Sequence, residues 1–394
     1  MQNIILLGLV SFFSDISTEM VYPIIPLYLT SVFGATPVLV GIIEGIAESL
    51  ASLLKVFSGY ITDKAQKKKP LAFIGYAAGL AYKMALLVAG SWMGILGARV
   101  IDRIGKGIRT SPRDVMVSES ADKDHMGKAF GIHKAMDMAG SAIGILIAYL
   151  LMKSVNGTFQ YKKLFLISTI PAIVGLLLIP AIREKREHRA AKAREPFWKN
   201  IKNLDGQLKL YLLVAFVFTL GNSSNTFLLL RAKDMGFDNT TVILLYLLYS
   251  ITASILAMPL GKLSDKIGRK KLLVCGYIIF AVVYICFALA INKVFIIAAF
   301  VFYGAYTAMI TGVERAFIAE ISPKELKGTM LGLHSTIVGV ALLPASAIAG
   351  VLWNCFGAYV PFLFGAGMSL GAAFALCFFM HGKKPVSLKG TMNI

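Results

Sequence analysis

Apolar residues in this chain do not alternate with polar ones; they run on in blocks of about twenty or more, separated by short polar stretches. The blocks fall at about 4–32, 38–60, 70–90, 92–112, 128–152, 162–182, 210–232, 239–261, 271–291, 293–313, 329–352 and 358–380. Each is long enough to cross the hydrocarbon core of a bilayer as a helix, and far longer than the roughly 10-residue alternating strands of a membrane barrel. The pattern predicts an all-α membrane protein with twelve transmembrane helices. The first block lacks a basic leader, is interrupted by Asp15 and Glu19, and continues through Leu29, so it reads as a span and not as a cleaved signal.

The polar punctuation repeats. GKLSDKIGRKK, from Gly261 to Lys271, has a weaker twin in GYITDKAQKKK, from Gly59 to Lys69. Gly59 aligns with Gly261, Asp63 with Asp265, Lys64 with Lys266, Lys67 with Arg269 and Lys68 with Lys270, all at an offset of 202. A second match, at an offset of 201, pairs Glu119 with Glu320, Gly127 with Gly328, Gly131 with Gly332 and His133 with His334. One membrane unit used twice is the expectation, with a six-helix bundle over 1–182, a cytoplasmic linker over 183–209, and a second bundle with a short cytoplasmic tail over 210–394. Parallel repeats of this size point to a transporter.

With 57% hydrophobic and 15% charged residues, the chain has too much apolar surface to fold in water. Its net charge of +19 changes the picture less than its size suggests. Placing the N-terminus inside puts the basic loops 64–69, 109–128, 183–209, 262–271 and 324–327, and Lys383, Lys384 and Lys389, in the cytoplasm. That asymmetry is the positive-inside rule. It predicts both termini in the cytoplasm of a prokaryotic inner membrane, with a basic face against anionic membrane lipids. The basic residues are scattered over short loops without a recognition motif, so no nucleic-acid partner is expected. The linker reads either as a short surface helix around Pro196, Phe197 and Trp198 or as solvated chain. Cys275, Cys286, Cys355 and Cys377 all fall in predicted spans without metal spacing and read as small packing residues. No phosphate-binding loop, zinc helix or nucleophile turn is present, so no cofactor, metal or catalytic residue is called for.

The two repeated loops resemble the signature between helices 2 and 3, and 8 and 9, of the major facilitator superfamily. The second copy matches more closely, since Gln66 stands where glycine is usual in the first. Arg103, Lys106 and Gly107 resemble the superfamily's RxxQG pattern with lysine in place of glutamine. Gly140 and Gly144 are present, but no proline follows Gly144 as it does in the drug exporters' antiporter signature. The resemblance implies two pseudo-symmetric six-helix bundles that rock about a central cavity, with Asp63 and Asp265 stabilising one access state. Physically, a glycine at the end of a span permits close helix approach, and the aspartate after it accepts hydrogen bonds from a helix N-terminus. The gating residues would be Gly59, Asp63, Lys64, Lys67, Gly261, Asp265, Lys266 and Arg269, with Arg109 and Arg113 as contacts near the cytoplasmic end. The same loops also read as no more than topology-setting basic turns.

Ionisable residues recur inside the spans at helical spacing. Asp15 and Glu19 lie four apart in the first; Glu44, Glu48, Ser52 and Lys55 form one stripe in the second; Arg99, Asp102, Arg103, Lys106, Arg109 and Arg113 occupy the fourth; His133, Lys134 and Asp137 occupy the fifth. A charge facing lipid costs several kcal/mol, so partners are expected. These groups form either a proton and substrate relay or a fixed salt-bridge scaffold. Asp15, Glu19 and Arg103 fall near mid-depth of spans that the resemblance implies line the cavity, and Arg103 is expected to pair with the ionised carboxylates of the first span. Lys55, Lys83 and Lys134 are expected to snorkel to the surface. The second bundle offers Asn222, Ser223, Ser224, Asn225 and Thr226, neutral groups suited either to a polar solute or to helix-to-helix hydrogen bonds. His334 reads as a structural contact.

The expected function is secondary transport by alternating access. A monomer would export a small polar or amphipathic solute in exchange for protons. Uptake of an organic anion drawn by Arg99, Arg103 and Lys106 is the alternative, and a lipid-modifying enzyme or a sensor is the remote one.

Overall fold

The computed structural model describes residues 2–65, 68–120, 126–154, 158–184, 206–322 and 327–379. Among them every regular element is a helix. The first span is two helices, α1 (Gln2–Val21) and α2 (Ile24–Phe33), because Pro23 lacks the N–H that would continue the ladder. Then follow α3 (Pro37–Ala65), α4 (Lys68–Val88), α5 (Trp92–Ser120), α6 (Met126–Ser154) and α7 (Thr158–Leu178), the last tightened by a 3₁₀ turn over Ile179–Ala181. The second series comprises α8 (Gly206–Gly221), α9 (Thr226–Asp234), α10 (Asn239–Ile267), α11 (Arg269–Ala288), α12 (Lys293–Ile310), α13 (Val313–Ile321), α14 (Lys327–Phe356) and α15 (Val360–Phe378).

Eleven spans among the described residues are both long and apolar enough to cross a bilayer. The twelfth is α5, long enough at 29 residues but carrying too many charges to register as apolar. It packs against α3 and α4, which take its charged face out of reach of lipid. Three spans expected to be continuous are interrupted: at Pro23, at 222–225 between α8 and α9, and at Thr311–Gly312 between α12 and α13. Asp238, outside the spans, caps α10 by accepting from the backbone N–H groups of Thr240 and Thr241. Hydrogen bonds from the Thr241 hydroxyl and backbone hold the Asp238 carboxyl below its usual pKa.

In the first bundle α1 lies against α6 and α7, and α4 against α5 and α7; in the second, α11 lies against α12 and α15, and α8 against α14 and α15. Across the bundles α3 packs on α14 and α6 on α10. Those contacts reach the end of the molecule opposite residue 2: Gly350 of α14 sits on Val38 of α3, and Asn239 donates to the Tyr161 hydroxyl at 3.0 Å. Deeper along the same seam, Gly41 and Gly45 lie against the backbone of Ser346 and Leu343.

Small residues permit these approaches. A Cβ at Gly140 would stand 2.4 Å from the Phe12 carbonyl oxygen, and one at Gly144 would stand 2.5 Å from that of Ile16. Both distances are to backbone, which cannot turn aside. Gly144→Leu should therefore drive α6 off α1 and destabilise the protein by at least about 1–3 kcal/mol. Thermal unfolding in detergent measures this; an unchanged midpoint would show that the two helices are not locked together here.

The cysteines correct an expectation. Cys275, Cys355 and Cys377 are exposed and Cys286 is half-buried, so none of them packs fully in the protein core. They are apolar enough for a partly open place as well as for the core.

Candidate transport site

Glu44 of α3 forms an ion pair with Arg99 of α5, and both side chains are only 1% exposed. Arg103, one helical turn further along α5, pairs with Glu48 at 2.9 Å and with Asp102 at 3.3 Å. The i, i+4 spacing of Glu44 and Glu48 thus meets the i, i+4 spacing of Arg99 and Arg103, a two-rung ladder between neighbouring helices. The Tyr22 ring lies 5.5 Å from the Arg99 guanidinium and 5.9 Å from that of Arg103. Glu48 keeps 27% of its side chain exposed, so the second rung is open to water while the first is closed.

Lys83 of α4 does not snorkel. It is buried, its Nζ donates to the Thr18 hydroxyl at 3.4 Å, and it lies 5.1 Å from the centre of the Tyr82 ring. Its place on the inner face of α4 leaves no path along the stem to the membrane surface.

The carboxylates of α1 are different. The ion pairs of Arg103 are with Glu48 and Asp102, and neither Asp15 nor Glu19 has a cationic side chain within salt-bridge distance among the described residues. Glu19 accepts only a long hydrogen bond, 3.4 Å, from the Tyr246 hydroxyl of α10, a contact across the two bundles. Asp15 faces Asp137 of α6, with Lys106, Arg109 and Arg113 within electrostatic range. Asp137 stands 3.6 Å from His133 Nδ1. Arg109 lies over the Tyr76 ring at 4.7 Å, and Arg113 donates to Ser11 at 3.1 Å and to Asp114.

On the opposite wall the chain leaves helical geometry at 222–225. Asn222 donates to the Tyr306 hydroxyl at 3.0 Å, and Tyr303 donates to the Asn225 side-chain oxygen at 2.7 Å. The Ser224 N–H, freed by the break, donates to Ser346 Oγ at 3.3 Å. The tyrosines form a ladder of rings, Tyr22–Tyr246–Tyr249–Tyr303–Tyr306, with successive centroids 5.2–5.7 Å apart. Sequence reasoning passed over it. Its signal was the i, i+3 spacing of Tyr246 with Tyr249 and of Tyr303 with Tyr306, which puts each pair on one helix face.

At the end that holds residue 2, the repeated loops make matching contacts one residue out of the sequence register, with Lys68 in the role of Arg269 and Lys69 in that of Lys270. Lys68 pairs with Glu119, and Arg269 pairs with Glu320 at 3.0 Å and with Asp265 at 3.3 Å. The recurrence of a glutamate at 119 and 320 thus has the same cause as the recurrence of the basic cluster. Lysines at the helix starts also cap the last helix of each bundle: Lys69 donates to the carbonyls of Pro180 (2.6 Å) and Ile182 (2.9 Å), and Lys270 to that of Cys377 (3.0 Å). Asp265 thus contacts its own bundle in this conformation. Gly261 corrects an expectation, since a Cβ there would meet nothing within 4 Å and no close helix approach depends on it. Lys266 is exposed. Lys67 lies outside the described residues, as do the surroundings of Gly59, Asp63 and Lys64 and the side chain of Lys55.

A family model of the Major Facilitator Superfamily matches residues 7–230 and 210–392. The chain belongs to the Major Facilitator Superfamily. An uncharacterised MFS-type transporter of Methanocaldococcus jannaschii, MJ1317, is 37% identical over 384 residues, covering 96% of this chain and 94% of its own length. The quinolone resistance protein NorA of Staphylococcus aureus is 25% identical over 162 residues, 41% of this chain and 42% of NorA. In fold, this superfamily member superposes on a mutant of the nucleoside transporter NupG with a TM-score of 0.82 at 12% identity, over 95% of this chain and 99% of NupG. It also superposes on a D-xylose–proton symporter with a TM-score of 0.79 at 15% identity, over 96% and 97% of the two chains. The family and fold are those of multi-pass membrane transporters, as the loop motifs imply.

Proposed function

We propose that this member of the superfamily is a proton-coupled exporter of a small polar or amphipathic solute, in which Asp15 and Glu19 exchange protons. The observation that carries this reading is the division among the carboxylates inside the spans. Glu44, Glu48 and Asp102 are bound to arginines and act as scaffold, whereas Asp15 and Glu19 lack such a partner among the described residues. A carboxylate in a membrane interior that is not held in a direct ion pair can take up and release a proton without breaking one, whereas the arginine-bound carboxylates cannot. Protonation of Glu19 would weaken its charge-assisted bond from Tyr246, one of the contacts joining the bundles, and so bias their rocking.

The ladder of tyrosines with Asn222 and Asn225 supplies flat apolar faces and neutral hydrogen-bonding groups for the solute. Export is supported by the local similarity to NorA. Anion uptake has less support, because Arg99 and Arg103 already hold Glu44 and Glu48. The reading includes the remaining sequence expectations: bundles over 1–182 and 210–394 joined by 183–209, both termini in the cytoplasm of an inner membrane, a working monomer, gating by Asp63 and Asp265, and contacts with anionic lipid.

Purified protein in liposomes with an imposed pH gradient tests it against a panel of solutes. Movement of one compound against its own gradient, opposite in direction to proton flow, is the expected result. Movement of that compound in the direction of the protons would overturn export, and transport indifferent to the gradient would overturn coupling.

A further inference from the structure

Asp15 and Glu19 lie in the first bundle, and the second holds a carboxylate in the same condition. Glu314 lies in the first turn of α13, just beyond the break at Thr311–Gly312, where Gly312 takes a φ of 96°. That conformation favours glycine, and it lets the chain restart its helix with Glu314 directed inward. The Tyr277 hydroxyl of α11 donates to Glu314 Oε1 at 3.2 Å. No cationic side chain stands within salt-bridge distance of it among the described residues.

The repeat makes this arrangement informative. At the offset of 201 that relates His133 to His334, Glu314 and Arg315 occupy the places of Arg113 and Asp114, with the order of charge reversed. In the first bundle the two neighbours bind each other. In the second, Arg315 is exposed and Glu314 turns to Tyr277 instead.

The elements packed around Glu314 present phenols and an imidazole. Tyr277 comes from α11, Tyr211 from α8 and Tyr306 from α12, all within electrostatic range of Glu314. His334 of α14 stacks on Tyr211 with centroids 6.1 Å apart. Arg315, next to Glu314 on α13, lies within electrostatic range of both Glu314 and His334. The Tyr211 hydroxyl and His334 Nε2 are buried and make no hydrogen bond among the described residues. Glu314 therefore lies within electrostatic range of one such atom, the hydroxyl of Tyr211, whose ring His334 in turn stacks on.

We propose that Glu314 is a second proton-binding site, one for each bundle, with Tyr277 holding the carboxylate in place. A proton arriving from water binds the ionised carboxylate and leaves by the same route; the carbonyl oxygen of the neutral acid keeps the hydrogen bond from Tyr277. The site's use in coupling rests on the transport reading above, but its existence does not.

Infrared difference spectra of the purified full-length protein in lipid nanodiscs, recorded between acid and alkaline pH, test the site with the proton itself as probe. The wild type should show carboxylic-acid C=O absorption that disappears as pH rises. Glu314→Gln should remove one component of it, while Glu19→Gln removes a different one. Tyr277→Phe should keep the Glu314 component but move its frequency and its titration midpoint, because the carboxyl loses a hydrogen-bond donor. If Glu314→Gln fails to fold, Tyr277→Phe decides alone. Unchanged carboxylic absorption in Glu314→Gln, or an unmoved component in Tyr277→Phe, would overturn the proposal and leave Asp15 and Glu19 untouched. Loss of the Glu19 component's pH dependence would count against the first-bundle reading instead.

Discussion

Arg99→Met should destabilise the protein by about 3–5 kcal/mol, because it leaves the Glu44 carboxylate buried without a partner. Glu44 and Arg99 are each 1% exposed, so water cannot replace the missing guanidinium. Glu44→Leu alone should cost a similar amount by stranding Arg99. The double substitution should recover most of the loss, since an apolar pair of similar volume has no desolvation penalty to offset. Thermal unfolding of the two single variants and the double variant in one detergent reads this directly. Additive losses in the double variant would show that the pair is not a closed unit. Glu48→Leu should be milder than Glu44→Leu, because the side chain of Glu48 is 27% exposed and its partner Arg103 also holds Asp102.

The pairing within this ladder was only half legible in the sequence. Helical spacing put Glu44 with Glu48 and Arg99 with Arg103 on single faces, and the cost of a charge facing lipid required those faces to point inward. Spacing does not fix the rotation of one helix against another, so it could not say that Arg103 meets α3 and not α1. The same gap explains Lys83, whose long stem suits a membrane surface equally well until the packing of α4 on α5 and α7 is known.

The spans themselves were legible because a 20-residue apolar window is a strong signal, and the repeated loops because their charges recur in one register. The breaks were harder. Pro23 marked one openly, but Asn222 to Asn225 also fit a continuous helix with a polar face. Only the tyrosines of α12, 78 and 84 residues away in sequence, show why the backbone opens there. Likewise, the i, i+3 tyrosine pairs give no sign of a ladder until Tyr246 is seen to meet Tyr22 and Tyr249 to meet Tyr303.

Glu19→Gln is the second substitution with a large expected effect. Glutamine keeps the size of the side chain and can still accept from Tyr246, but it carries no exchangeable proton. The contact between the bundles would then be the same in every state, and a pH gradient could no longer bias the rocking of α1 against α10. Exchange of solute down its own gradient needs no such bias and should survive. Arg103→Ala, in contrast, should impair both activities, because it frees Glu48 and Asp102 together and disturbs the wall itself.

The most direct test of proton coupling through α1 is solute accumulation by Glu19→Gln in liposomes, with and without a pH gradient, using the compound that the wild type moves. The account predicts that gradient-driven accumulation falls to the level of empty liposomes, while exchange without a gradient stays within about twofold of wild type, less than 1 kcal/mol in a rate-limiting barrier. Accumulation by Glu19→Gln at the wild-type level and proton stoichiometry would contradict it, and would make Glu19 part of the scaffold with Glu44 and Glu48.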